Sequence, residues 1–148
     1  MRRYGTPRQA GQKYIHRPGV YAILARGGDL LLTHQSAPEP EFQLPGGGID
    51  PGESPLMALY REVFEETGWH ISSPRRLGAF RRFTYMPEYD LWAEKVCTIY
   101  LAHPVRRIGP PSEPLHQAVW ATPQIAQHLL ANAGDRAFVQ RYFAKSPL

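Results

Sequence analysis

Apolar positions recur at two different periods along this chain, and the switch between them marks its centre. Residues 19–25 and 30–34 are apolar runs rich in β-formers, joined by Arg26-Gly27-Gly28-Asp29, which predicts a hairpin. Residues 36–41 carry two prolines and read as a loop, and residues 42–44 as a short strand. From residue 54 the spacing lengthens. Leu56, Leu59, Tyr60, Val63 and Phe64 fall at three- and four-residue steps, the stripe of an amphipathic helix packed on a core. Ser54 suits its N-cap, Pro55 its first position and Gly68 its end. Strand patterning then returns over residues 76–85 and, most strongly, 91–102, with 86–90 as the turn between them. Residues 103–115 hold four prolines and predict a surface loop, and residues 119–121 a last short strand. Thr122 before Pro123 opens a helix through residue 130. Residues 135–144 predict a final helix whose Phe138, Val139 and Tyr142 pack back on the sheet. Residues 1–13 read as a loose arm ahead of a single domain over residues 14–148. Strands on both sides of a central helix, followed by terminal helices, favour a mixed α/β layered domain.

Composition narrows the class. At 148 residues, 43% apolar and 20% charged, the chain suits one soluble globular domain with a real core. No apolar run has the length of a membrane span, and the basic start lacks the apolar segment of a signal peptide, so a cytoplasmic protein with no membrane partner is expected. Cys97 is alone, which excludes an internal disulfide framework and a cysteine metal site, and its apolar strand makes it a core residue. The net charge of +4 suits an anionic partner. The paired arginines 75–76, 81–82 and 106–107 form no long basic run and belong to no nucleic-acid module. They read as solvated surface, with Arg82 assigned to a polyphosphate site, and no stable nucleic-acid complex is expected of this monomer or homodimer.

The candidate chemistry lies on the central helix. Glu62, Glu65 and Glu66 sit at i, i+3 and i+4, so their carboxylates converge within one turn of surface, and Arg61 offsets only part of their repulsion. Such a face makes sense if hard divalent cations sit between the carboxylates, Mg²⁺ or Mn²⁺ in its place, sharing their shell with water and phosphate. Gly46, Gly47 and Gly48, on the loop before the helix, would let backbone come close to metal or phosphate.

These residues match a family pattern. Gly47, five residues, Glu53, seven residues, then Arg61, Glu62, Val63, Glu65, Glu66, Gly68 and Trp69 resemble the complete Nudix box, with Trp69 where an aliphatic residue is commoner. The resemblance implies the Nudix fold, a mixed sheet between helices. It also implies metal-dependent hydrolysis of a diphosphate linkage in a nucleoside diphosphate joined to another moiety. It would make Glu62, Glu65, Glu66 and the Gly46 carbonyl the metal ligands, with Glu53 and Arg61 pairing to steady loop against helix. Glu62 is the first choice for general base, Glu113 in the proline-rich loop the second and Glu94 its rival. Gly47, Gly48, Arg82 and Tyr85 are expected on the substrate side, Tyr85 at the spacing of the base-stacking tyrosine of dinucleoside polyphosphate hydrolases. Nucleoside triphosphates, diphosphoinositol polyphosphates and ADP-ribose stay open as substrates, as does a silent Nudix-like binding module, although none of the box carboxylates is missing.

Overall fold

The computed structural model describes residues 1–145, so the last three positions of the expected domain lie outside the described residues. Along the chain come β1 (Arg2–Arg3), β2 (Ile15–Arg26), β3 (Asp29–Gln35), β4 (Glu41–Gln43), β5 (Gly46–Gly48), α1 (Pro55–Thr67), β6 (Trp69–Met86), β7 (Leu91–Arg107), β8 (His116–Ala121), α2 (Pro123–Leu129) and α3 (Ala133–Lys145). β2 and β3 make the expected hairpin about Gly27-Gly28, but they pair only at its base, Ala25 with Leu30 and Arg26 with Asp29. Past that point they separate. β2 pairs parallel with β7 and antiparallel with β5, while β3 pairs with β4 and β8. The result is one open mixed sheet in the order β1-β6-β7-β2-β3-β4, with β5 on β2 and β8 on β3, split into two leaves.

Alternation along the strands fills both sides of this sheet. Val20, Ala22, Leu24, Leu31 and Tyr100 form a core with Ala58, Leu59 and Val63 of α1. Ile23, Leu30, Leu32, Phe80 and Ile99 form another with Ala126 and Leu130 at α2 and Phe138 and Val139 of α3, so the sheet lies between helices. Ser54 caps α1 by accepting from the Met57 N–H, and Gly68 ends it in the left-handed region at φ 78°, as expected. Thr122 caps α2 in the same way, accepting from the Ile125 N–H. Cys97 is buried, and burial pushes its thiol up to about 12.

Several expectations change. The buried stripe of α1 is Ala58, Leu59, Val63, Glu66 and Thr67, whereas Leu56 and Tyr60 are exposed. The buried face is rotated by about 60° from the apolar pattern at ~100° per residue, with Leu59 and Val63 common to both, and this brings Glu66 inward. The glycine loop is a strand. Gly46, Gly47 and Gly48 pair with Tyr21, Val20 and Gly19, so tertiary pairing overrides the low strand preference of glycine. β6 and β7 run well beyond the apolar patterns, and β7 takes in the first part of the predicted 103–115 loop. Register shifts after His70, Ser72 and Arg76 absorb the mismatch, and Pro104 pairs beside the first of them, where a bulge tolerates a missing N–H. The N-terminal arm is not loose throughout. Arg2 and Arg3 pair parallel with Phe80 and Arg81 of β6, and the Tyr4 ring packs edge-on against Phe80. Among the described residues no helix is long and apolar enough to cross a membrane.

Candidate active site

The inward turn of α1 sets Glu66 against the glycine strand. It is only 6 % exposed, and its Oε1 accepts from the Gly46 N–H at 3.0 Å. On its other side Oε2 stands 3.6 Å from His116 Nδ1 of β8, and that nitrogen is 2.9 Å from Thr33 Oγ1 of β3. Glu66 thus bridges the two leaves of the sheet. Burial raises its carboxyl well above the usual range, with the negative charges of Glu62, Glu113 and Glu65 adding to the effect and the Gly46 bond opposing it. Burial likewise lowers His116.

Gly46 is where glycine is required. At φ 149° it lies in the region that side chains avoid, and a Cβ there would stand 2.1 Å from the Val20 carbonyl oxygen. At Gly47 a Cβ would stand 2.5 Å from the Glu62 carboxylate, so any side chain there would push that carboxylate out of its place. Glu62 therefore lies directly against the backbone of β5, and burial raises its carboxyl despite the bond from Arg61.

Arg61 is the hub on the more open side. It forks Glu53 through Nε and Nη2, both at 2.8 Å, and holds Glu53 down at about 2. Its Nη1 also reaches Glu62 at 2.9 Å and Glu65 at 3.3 Å, and Nη2 donates to the Gly48 carbonyl at 3.1 Å. Asp50, not anticipated, joins at 3.4 Å, and its N–H donates to Glu53 at 3.0 Å. One guanidinium thus ties the turn before α1, the end of β5 and two of the three helix glutamates together.

Glu113 arrives from the loop after β7. Its N–H donates to the Glu65 carbonyl at 2.8 Å, and its charge helps to raise both Glu62 and Glu66. Glu94 faces His16 and Arg81, each at 3.6 Å, and lies three positions along β7 from Cys97, the residue level with Gly19, or about 10 Å at ~3.3 Å per residue. Tyr85 is also displaced from the expected site. It pairs with Trp92 near the tip of the β6–β7 hairpin, its ring centroid 5.4 Å from that of Trp92 and its hydroxyl donating to Asp90. The Phe80–Cys97 pair, level with Gly19 and Gly48, is five pairs away, about 16 Å at ~3.3 Å per residue. Sequence spacing cannot register that a strand carries its residue away from the site. Arg82 lies on the other face of this leaf, opposite Lys95. Sequence reasoning sets His116 near Glu113 without a role and misses Thr33, and the β3–β8 pairing brings both to Glu66.

Among the described residues no three acidic, histidine or cysteine side chains are close enough to enclose an ion. Arg61 holds Glu62 and Glu65 toward itself, which accounts for part of this. The donors themselves fit a hard divalent cation such as Mg²⁺, which takes carboxylate and carbonyl oxygen and leaves several positions to water and phosphate.

The NUDIX domain matches residues 15–142. A Halorhodospira halophila protein named RNA pyrophosphohydrolase is 42% identical over 67 residues, which cover 45% of this chain and 37% of the relative. A Bacillus subtilis protein provisionally named an 8-oxo-dGTP diphosphatase is 31% identical over 78 residues, 53% of this chain and 52% of the relative. The chain thus spans about half the length of the curated relatives it matches, or less. Among solved structures, a NUDIX hydrolase from Nitrosomonas europaea superimposes with a TM-score of 0.70 at 19% identity, covering 88% of this chain and 90% of that one. It speaks for the fold alone.

Proposed function

The chain belongs to the NUDIX family, and from that premise we propose that it is a metal-dependent pyrophosphohydrolase, cleaving a diphosphate linkage in a nucleotide-type substrate by attack of water on phosphorus. The observation that carries this reading is the gathering of Glu62, Glu65, Glu66 and Glu113 around β5, with one of them buried against a glycine N–H. A buried carboxylate with like charges around it is costly unless a cation joins them. Glu62, Glu65, Glu66 and the Gly46 carbonyl would hold Mg²⁺. When bound, the ion supplies charge neutralisation at the phosphate oxygens and makes a water more acidic.

The remaining roles belong to the chain. Glu62 takes the proton from the attacking water, since burial raises its basicity while Arg61 and Gly47 fix its position. A specific observation favours Glu113 as the alternative, namely that its carboxylate has no ion-pair or hydrogen-bond partner among the described residues. Gly47 keeps the backbone open to the phosphate. The Gly48 carbonyl is already taken by Arg61, so Gly48 serves the loop more than the substrate. With Tyr85 at the hairpin tip, base stacking no longer supports a dinucleoside polyphosphate. The names of the two relatives refer to a nucleoside triphosphate and to RNA, and a nucleoside 5′-polyphosphate end is the substrate class we carry over.

The test is phosphate or pyrophosphate release from a panel of nucleoside triphosphates, nucleoside diphosphate sugars and 5′-triphosphorylated oligonucleotides, with Mg²⁺ and with chelator. Turnover in Mg²⁺ alone is expected. Binding without turnover on the whole panel would instead make the chain a silent module. Loss of a general base typically costs ~10²- to 10⁴-fold, so Glu62→Gln should lower kcat by about 1,000-fold and Glu113→Gln by about tenfold. The reverse ranking would transfer the role to Glu113.

A further inference from the structure

Resting on the reading of a phosphoanhydride substrate, we propose that Arg17, Lys95 and Arg82 form a seat for a further anionic group of that substrate, a phosphate beyond the diphosphate that is cleaved. The three residues lie abreast on neighbouring strands. Arg17 of β2 is in register with Lys95 of β7, and Lys95 with Arg82 of β6. Side chains two apart share a face, and Ile23, Cys97, Ile99 and Phe80, of the same parity, all belong to the core under α3. The three cations therefore leave the sheet on one side, opposite to α1. Directly opposed neighbours have Cβ atoms ~5 Å apart, and like charges so placed repel.

All three are half buried, and among the described residues none has a carboxylate within ion-pair distance. Burial, with Arg82 beside it, lowers the Lys95 ammonium, and the acids whose charge opposes this are Glu88 of the hairpin turn and Asp135 of α3, itself buried with an oxygen accepting from the Leu44 N–H at 3.3 Å. Three cations against two acids leave a surplus positive charge on a partly desolvated face. Tyr89 supports the outer end, with the Arg17 guanidinium 4.7 Å from its ring centroid.

The seat adjoins the glycine strand. Arg17 is two residues from Gly19, the partner of Gly48, so the row lies about 7 Å along β2 at ~3.3 Å per residue. Tyr21 lines the way between them, its ring against Gly46 and Gly19. A phosphate suits this row because guanidinium offers paired donors and ammonium a compact charge. The group could be the next phosphodiester of an oligonucleotide or another member of a polyphosphate chain, and both present the same oxygens.

The experiment titrates inorganic triphosphate into the metal-stripped protein, by calorimetry and by amide shifts of residues 15–19, 80–84 and 93–97. The glutamates repel this probe in every variant alike, so differences report the row. Lys95→Met should weaken binding about tenfold, as loss of one charged hydrogen bond implies. Lys95→Arg should restore it, and Arg17→Gln should weaken it less. Absence of shifts in the three strands, or unchanged binding by Lys95→Met, overturns the proposal. If Lys95→Met does not fold, Arg17→Gln carries the same decision. In Mg²⁺, KM for a 5′-triphosphorylated dinucleotide or for a nucleoside tetraphosphate should rise about tenfold in Lys95→Met with kcat retained. Whichever of the two responds identifies the source of the phosphate, and a nucleoside diphosphate sugar, lacking the further phosphate, should not respond. A chain that hydrolyses none of these loses the proposed function, while the binding result still decides the seat.

Discussion

The two faces of the leaf that ends in β5 carry opposite excesses of charge. On the α1 face, Glu53, Glu62, Glu65 and Glu66 surround Arg61 and the glycines, and Arg61 is bonded to three of these carboxylates. On the α3 face, Arg17, Lys95 and Arg82 stand in a row with Asp135 nearby. The difference lies in how each set is assembled. The acidic set is written into one helix and the turn before it, where spacing alone makes neighbours. The basic set comes from three strands whose neighbours in space lie 78 and 13 positions apart in sequence, Arg17 to Lys95 and Lys95 to Arg82. A cluster on one helix declares its chemistry in the sequence, whereas a cluster across a sheet is declared only by register.

The largest effect that would break this contrast comes from the acidic face. Glu66→Gln keeps an acceptor for the Gly46 N–H but removes the buried charge, so turnover in Mg²⁺ should fall by at least about 100-fold, the upper end of what even outer-shell partners of a metal contribute. Folding should benefit at the same time. Burial raises the Glu66 carboxyl, so ionising it costs stability, and the melting temperature of the variant near neutral pH should rise by about 2–4 °C for each ~1 kcal/mol relieved. Near-normal turnover, or a lowered melting temperature, would mean that Glu66 holds the two leaves together and does no more.

The α3 face is sharpened by pH. Burial pushes the Asp135 carboxyl up to about 6, against ~3.9 in an unfolded chain. Between those values the folded state keeps a proton that the unfolded state has lost, so stability falls as pH rises through the window and stays reduced above it. Two units correspond to about 3 kcal/mol at most. Asp135→Asn, which keeps an acceptor for Leu44, should remove that slope, and chemical denaturation at pH 5 and pH 7.5 reads it. An unchanged slope in the variant would assign the effect to the raised carboxyls of Glu62 and Glu66. Glu53 has the opposite sign, since its stabilisation by Arg61 is lost only as pH falls toward about 2.

The same contrast explains what could be read from the chain beforehand. The caps at Ser54 and Gly68 depend on local spacing and can be read from it, whereas the fork of Arg61 on Glu53 and the approach of Glu113 are legible only through the family resemblance. The rotation of α1 does not follow from its apolar positions, because Leu56 and Tyr60 compete with Ala58 and Thr67 until Glu66 finds the Gly46 N–H. His116 and Thr33 are in place only because β3 and β8 pair far from their turns. The glycine strand was hidden for a related reason, since pairing with β2 gives it an order that its own residues do not favour.

The smallest effect lies outside both charged sets and serves as their control. Tyr85 sits near the hairpin tip, 40% exposed, against Trp92 and bonded to Asp90. Trp92 also meets Tyr14 edge-on at 6.3 Å, and Tyr14 meets Phe83 at 4.8 Å, so Tyr85 ends a chain of aromatic contacts that ties the start of β2 to the hairpin. Aromatic pairs contribute ~0.5–1.5 kcal/mol beyond their burial. Tyr85→Ala should therefore lower the melting temperature by about 2–4 °C, and Tyr85→Phe, which loses only the bond to Asp90, by less. Neither change should move KM for any phosphoanhydride by more than about twofold, because the ring lies some 16 Å along the strands from the glycine–carboxylate site. A tenfold rise in KM confined to substrates with a base, at unchanged melting temperature, would mean that the bound nucleotide reaches the hairpin tip. Tyr85 is three positions from Arg82 and so leaves the strand on the opposite side, and such a nucleotide would run from the carboxylate site along the α1 side of the leaf and not over the charge row.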